Sequence, residues 1–360
     1  MKEIKYAENS ILQLFPAQYR PFWQSVSAKQ AHIQEIRLRA GRPVVIHMDG
    51  REVFLDSAGN DTDVCRGAYS VTEREVGEIL EHICHYSPYA FEEELRRGFV
   101  TVAGGHRVGV AGQAVLETDG SVRTIKNISF LNIRVSHQMM GAADEVLPEM
   151  YINGVLKNAL IISPPGCGKT TLLRDLIRQV SDGNAYGKGM TVGVVDERSE
   201  LAGSFLGRPQ NDLGMRTDVL DGCPKDIGML LLLRSMSPRV IAIDELGNEE
   251  ELRALGQASA SGCKILATVH GEDRRDVERR FRLKPDFWES MFDLFLVLEK
   301  RNGKCRVRRM EEGEENYAQD FGRLYDFRRM PGVGNLVSFS DECQTQNAPQ
   351  SEKYSGAPCR

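Results

Sequence analysis

The run Ser163-Pro164-Pro165-Gly166-Cys167-Gly168-Lys169-Thr170-Thr171 sets two glycines, a lysine and a hydroxyl at the spacing of a loop that wraps phosphate. Small residues let successive backbone N–H groups point inward around a β-phosphate. A lysine then reaches the β and γ oxygens, and a hydroxyl holds magnesium. The full pattern asks for glycine at its first position, where this chain carries Ser163. That position marks the exit from a strand, so serine is small enough for the turn if its φ is negative. Nucleotide binding is the chemistry this run implies.

A second run, Arg239-Val-Ile-Ala-Ile-Asp244-Glu245, is an apolar strand ending in two carboxylates. Asp244 at the strand tip fits the shell of a Mg2+ ion beside Thr170, and Glu245 fits a group that orients or deprotonates the attacking water. Capping of a helix from Asn248 would explain Glu245 alone, not both acids. A third apolar strand ends in Thr268-Val-His270, which places Thr268 or His270 within reach of a γ-phosphate or its water. Asp196-Glu197-Arg198 also follows an apolar strand. Glu197 there could position water or the metal shell and Arg198 could pair with these acids, although a solvated charged loop would read the same. Arg234 is expected in a structural ion pair.

These residues need a sheet whose strand ends share one edge. From Asn158 the chain alternates short apolar strands with helices, which predicts a mainly parallel sheet covered on both faces. The predicted strands are 159–162, 191–195, 240–243 and 265–269. Segments 292–298 and 305–309 flank Asn302-Gly303, a hairpin signal that adds antiparallel edge strands. Before this region lies a different pattern. Residues 33–39 and 44–48 read as strands, and Asp49-Gly50 turns the second into 51–55. Thr72-Glu-Arg-Glu75 is a capping box that opens a helix, Pro88 can open another, and residues 99–103 and 106–111 read as a strand pair. Residues 144–151 read as a connecting helix. The division is therefore an α+β domain over 1–140, an α/β nucleotide domain over 141–310, and a largely disordered tail over 311–360, within which 317–330 could dock elsewhere.

The chain has 360 residues, a formal net charge of −5 and a pI near 5.9, a balance that argues against a general nucleic-acid binder. No apolar run reaches the roughly 20 residues of a membrane span, and the first residues have no signal-peptide core. A soluble cytoplasmic protein is expected. Its eight cysteines form no C-x-x-C pair, so free thiols are expected rather than a zinc site or a disulfide framework.

Several stretches resemble the stage III sporulation protein AA family of endospore-forming bacteria: Glu35-Ile-Arg-Leu-Arg-Ala-Gly-Arg-Pro43, Gly98-Phe-Val-Thr-Val-Ala-Gly-Gly-His-Arg107, Thr217-Asp-Val-Leu-Asp-Gly-Cys-Pro-Lys225 and Leu233-Arg-Ser-Met-Ser-Pro238 leading into Ile243-Asp-Glu-Leu-Gly247. The similarity runs from about residue 30 to 310. That family is similar to the secretion ATPases of type II and type IV systems, and the segment Ala258 to His270 fits their histidine-bearing stretch. The resemblance implies a hexameric ring of RecA-like motor domains, each preceded by a sensory domain, and ATP as the nucleotide. It also implies a peripheral position in the mother cell at the membrane around the forespore. Implied partners are a membrane-anchored adaptor and the proteins of the sporulation channel. In such rings a neighbouring subunit often supplies an arginine to the γ-phosphate, and Arg107, Arg123 and Arg134 are the candidates here. Two other readings stand beside the motor. One is a nucleic-acid-binding ATPase using the basic run from Arg274 to Lys284 and the Gly104 to Arg107 turn. The other is a nucleotide-gated structural ring without significant turnover.

Overall fold

The computed structural model describes residues 4–5, 10–87, 91–282, 285–301 and 304–312. The Pro88 helix start, the Asn302-Gly303 turn and the tail from residue 313 lie outside the described residues.

The first half is built on a seven-stranded antiparallel sheet. Its strands are β1 (Ile33–Arg39), β2 (Val45–Met48), β3 (Arg51–Leu55), β4 (Asp61–Thr62), β5 (Phe99–Thr101), β6 (Arg107–Leu116) and β7 (Val122–Arg134), in the spatial order β4-β3-β2-β1-β7-β6-β5. Alternation explains β1, where Ile33, Ile36 and Leu38 are fully buried while their neighbours are not. Trp23 of α1 (Arg20–Ser27) stacks on Phe15 at 4.0 Å between ring centroids and joins the same core. Thr72 and Glu75 form the capping box that starts α2 (Glu73–Ile83), whose Val76, Ile79 and Ile83 pack on the sheet. β6 and β7 run far past their neighbours, and the outer residues of both are exposed. With little burial to set a pattern, their length was not visible as a strand signal.

Residues 144–151 differ from the predicted helix: only Leu147–Met150 forms a single 3-10 turn. Pro148 disfavours the α conformation at Leu147 and removes a donor, which stops a helix from propagating through the segment.

The second half is built on a seven-stranded sheet in which six strands run parallel. These are β8 (Ala159–Ser163), β9 (Val192–Asp196), β10 (Thr217–Asp221), β11 (Val240–Leu246), β12 (Lys264–His270) and β13 (Leu294–Arg301), with β14 (Lys304–Glu312) antiparallel to β13. The order is β10-β9-β11-β12-β8-β13-β14. Along β8, Leu160 and Ile162 join one apolar layer with Leu252, Leu255 and Trp288, while Ala159 and Ile161 join the other with Leu173, Leu176 and Ile177. Each leucine or isoleucine among these that is removed from water contributes about 1.5–3 kcal/mol, so this strand and the loop that follows it are anchored from both faces. The helices are α3 (Lys169–Asp182), α4 (Lys225–Ser235), α5 (Glu249–Ala260), α6 (Arg274–Phe281) and α7 (Pro285–Met291). The edge strand β10 escaped the sequence reading because its residues are all half-buried and Asp218 and Asp221 break the apolar run.

Polar contacts join the halves. Arg107 Nη1 lies 2.7 Å from Glu200 Oε1, Gly104 N donates to Gln210 Oε1 at 3.0 Å, and the Gln138 side chain exchanges two hydrogen bonds with the backbone of Asp212. His106, buried in this junction, accepts from Ser136 N and lies 2.7 Å from Ser10 Oγ. Burial pushes its pKa down to about 4, so it serves as a neutral brace.

Candidate functional site

Ser163 is the last residue of β8, fully buried, and its φ is not positive. Its hydroxyl donates to Pro164 O at 2.9 Å. Gly166 and Gly168, at φ 71° and 81°, carry the left-handed turns of the loop, which only glycine adopts without strain. Pro164, Pro165 and Cys167 fill the loop between them, with Cys167 buried against the α3 layer. Gly168 leads directly into α3, so Lys169, Thr170 and Thr171 form its first turn, where unpaired N–H groups favour an anion.

The ends of β11 and β12 close on this helix start. Lys169 Nζ lies 2.7 Å from Glu245 Oε1 and 3.2 Å from His270 Nε2, and His270 Nε2 lies 2.8 Å from the same Glu245 oxygen. Thr170 Oγ1 donates to Asp244 Oδ2 at 2.6 Å, and Thr268 Oγ1 donates to Asp244 Oδ1. Six of the expected site residues, Lys169, Thr170, Asp244, Glu245, Thr268 and His270, therefore meet at one sheet edge.

Glu245 reaches this position through an irregular backbone. The β11–β12 ladder shifts register between Ile243 and Leu246, and Glu245 has φ 58°. A non-glycine residue there stores on the order of 1–3 kcal/mol of strain. Two side chains hold it: Lys225 Nζ donates to Glu245 O at 2.6 Å, and Glu245 N donates to Thr268 Oγ1 at 2.8 Å. Burial raises the Glu245 carboxyl pKa, but the hydrogen bonds and charges of Lys169 and His270 outweigh it and hold the group below the usual carboxylate range. Asn248 caps α5 itself, accepting from Glu251 N at 2.9 Å, so Glu245 is free of that task.

Arg198 Nη1 stands 3.1 Å from Glu245 Oε2. Glu197 lies 3.5 Å from Lys225 Nζ and lines a small pocket with Asp244 and Glu245. Of the arginines proposed to act between subunits, Arg107 and Arg134 line one cleft with Arg97 and Arg198. Arg107 also stacks on Phe99 at 4.0 Å. Arg123 instead faces Glu117, 3.7 Å away, on the outer part of the β6–β7 hairpin. Arg234 is exposed and makes no ion pair among the described residues, unlike its expected role. In the basic run, Arg274 pairs with Glu278 and Glu289, Arg279 with Asp276, and Arg280 binds the carbonyls of His270 and Leu246. Those cations are largely engaged within the fold.

Two supporting cations were not singled out from sequence. Arg174, buried on α3 one turn beyond Thr170, donates to Leu201 O at 2.7 Å and Glu200 O at 2.5 Å. Asp196 holds the same loop by accepting from the N–H groups of Glu200, Leu201 and Ala202. Lys225 is the other, bridging Glu197, Glu251 and the Glu245 backbone. A cation one helical turn from Thr170, between the apolar residues Leu172, Leu173, Leu176 and Ile177 of the buried helix face, was the available signal for Arg174.

Thr170 and Asp244 present a hydroxyl and a carboxylate side by side, hard oxygen donors suited to Mg2+, which keeps most of its waters.

The model of the family described as "Sporulation stage III, protein AA" matches residues 5–316. The chain is 39% identical over 309 residues to Stage III sporulation protein AA of Bacillus subtilis, covering 86% of this chain and 96% of that one. Among solved structures, the Legionella pneumophila ATPase DotB superposes with a TM-score of 0.54 at 16% identity, over 83% of each chain. The pilus retraction motor PilT with bound ADP gives 0.57 at 16% identity, over 83% of this chain and 85% of that one. The fold is thus that of RecA-like ATPases, and no helix among the described residues is long and apolar enough to cross a membrane.

Proposed function

The chain belongs to the sporulation stage III, protein AA family, and from that premise and the site geometry we propose that it is a Mg2+-dependent ATP hydrolase working as a homo-oligomeric ring motor. The observation that carries this reading is the meeting of Lys169, Thr170, Asp244, Glu245 and His270 at one edge of the parallel sheet. In this reading the ring has six subunits. It energises assembly of, or transport through, the channel between mother cell and forespore. It sits at the cytoplasmic face of the membrane around the forespore, held there by a membrane-anchored adaptor and channel proteins.

The phosphate loop binds the β-phosphate, and Lys169 turns from Glu245 to the γ-phosphate oxygens. Losing that partner removes what offsets Glu245's burial, so its proton affinity rises just as it faces the attacking water. Glu245 orients that water and takes its proton as oxygen attacks the γ-phosphorus and the bond to the β-phosphate oxygen breaks. Thr170 and Asp244 would hold Mg2+, which supplies charge neutralisation to the β and γ oxygens. His270, bonded to Glu245, keeps the carboxylate aimed. A displacement of about 1 Å in such a site can cost on the order of 100-fold in rate, so the assembled site is sensitive to small shifts.

ATP turnover of the purified protein across a concentration series, with oligomer size followed in parallel, tests the motor. Turnover per subunit that rises with assembly and is abolished by Lys169→Ala supports it. ATP binding without turnover, even with the adaptor present, would leave a nucleotide-gated scaffold.

A further inference from the structure

β6 and β7 form a ribbon that outruns the sheet from which it grows. Arg107, Val108 and Gly109 of β6 pair with β5, and residues 130–134 of β7 pair with β1. Beyond those points the two strands pair with each other, out to Leu116 opposite Val122. The outermost backbone bonds to the rest of the sheet are Val110 N to Gly98 O on one side and Ala40 N to Ser129 O on the other. Among the described residues no strand lies against the outer edge of 111–116 or of 122–128. Each edge therefore presents a row of N–H and C=O groups with no ladder partner.

A bulge marks the base of the ribbon. The register shifts between Lys126 and Phe130, and Asn127 has φ 47°. A Cβ on Gly112 would lie 2.6 Å from Lys126 O and 2.7 Å from Asn127 O, so glycine is what lets the two backbones close up here. Such a bulge re-aims the strands beyond it.

The two edges differ in composition. Residues 111–116, Ala-Gly-Gln-Ala-Val-Leu, hold no charge and no proline, the devices that usually keep an exposed edge from pairing. Residues 122–128 carry Arg123 and Lys126 among Val122, Ile125 and Ile128. Ile125 and Ile128 rest on the N-terminal core, whereas Leu116 and Val122 at the far end are exposed. A two-stranded ribbon by itself is marginally stable in water, and further strands secure it.

The ribbon's own shape selects the occupant. Its two unlike edges lie on opposite sides and run in opposite directions. Copies related by rotation about a common axis set the 111–116 edge of one against the 122–128 edge of the next, antiparallel. A contact between unlike edges is head-to-tail, the kind that closes into rings. A twofold pair would instead join two 111–116 edges and leave both 122–128 edges bare.

We propose that the β6–β7 ribbon is a joint between subunits, in which the 111–116 edge of one copy pairs with the 122–128 edge of a second copy. The inference rests on the ring reading above and adds which surface joins the copies.

Bismaleimide cross-linking of the full-length protein, read as linked peptides, tests the joint. One preparation carries Gln113→Cys and another Lys126→Cys, both at exposed positions that stand opposite each other within a copy and so share a face of the ribbon. Separate chains prevent a link inside one ribbon. Mixed as dilute subunits and then concentrated, they should give a 113–126 link between copies, and neither preparation alone should give a 113–113 or 126–126 link. Mixtures using Val115→Cys or Thr124→Cys, which also stand opposite each other, cover neighbouring registers. Ala114→Lys/Leu116→Lys puts two charges on the uncharged edge at exposed positions. That variant should need at least about tenfold more protein to assemble, with thermal unfolding of the dilute protein within about 2 °C of wild type. Normal assembly of the lysine variant, with no link between copies in any mixture, would overturn the joint while the ring reading stands. A 113–113 link in the single preparation would overturn it too. Copies that stay monomeric at every concentration, with and without ATP and Mg2+, would remove both.

Discussion

Lys169 Nζ lies 2.7 Å from Glu245 Oε1, so the cation of the phosphate loop and the proposed catalytic carboxylate neutralise one another before nucleotide arrives. In the proposed reaction ATP would exchange one of these partners for its own γ-phosphate, which would couple binding to release of Glu245. Because the pairing holds the Glu245 carboxyl below its ordinary range, its contribution to stability is fully present above the unfolded-state pKa. It is lost as pH falls through the depressed folded value. The stability gap between wild type and Glu245→Gln should therefore be constant near neutrality and shrink below about pH 4. Urea unfolding from neutral to acid pH checks this, and a gap that widens on acidification would contradict it.

Ser163 replaces the glycine of the usual pattern at a position with no positive φ. Ser163→Gly should leave ATP affinity within about twofold and cost at most about 1 kcal/mol, the entropy of a glycine in a strand. Calorimetric titration with ATP and thermal unfolding measure the two effects.

Gly168 is the opposite case. Its φ is 81°, and an added Cβ would lie 3.3 Å from Cys305 Cβ and Sγ, so Cys305 would have to shift to admit it. Gly168→Ala should destabilise the protein by about 1–2 kcal/mol and weaken ATP binding at least about tenfold, since the loop amides would shift. At Gly166, where φ is 71° but the space is open, an alanine should show the backbone cost alone. Equal effects on binding at the two positions would contradict the packing account.

Arg174 bonds the carbonyls of Glu200 and Leu201, and Glu200 in turn pairs with Arg107 across the junction. Arg174→Met leaves buried carbonyls without donors and should lower stability by about 2–4 kcal/mol. Hydrogen exchange should quicken over residues 199–211 and around Arg107. Exchange unchanged at Arg107 would show that the two halves are joined by other contacts.

The phosphate loop, the acidic strand end and the parallel strands were legible because each is a local pattern. Apolar runs of four or five residues end in polar groups, and glycines mark the turns between them. The β13–β14 pair was legible from Asn302-Gly303 following the apolar segment 292–298 and preceding the short strand segment 305–309, and α2 from its capping box. What was hidden depends on distance. Lys225 supports Glu245 through a backbone carbonyl 20 residues away in sequence, and nothing near Lys225 marks it. Arg174 serves a loop 26 residues on. The helix expected over 144–151 failed on Pro148. Thr217–Asp221 lacks the apolar run of a buried strand because it lies at a sheet edge.

The most direct test of the central claim is a comparison of wild type, Lys169→Ala and Glu245→Gln by ATP affinity and by single-turnover release of phosphate. The expected result is that Lys169→Ala loses binding, whereas Glu245→Gln binds ATP at least as tightly as wild type and hydrolyses it roughly a hundredfold or more slowly. Hydrolysis at the wild-type rate in Glu245→Gln would contradict the assignment of this carboxylate and the mechanism built on it.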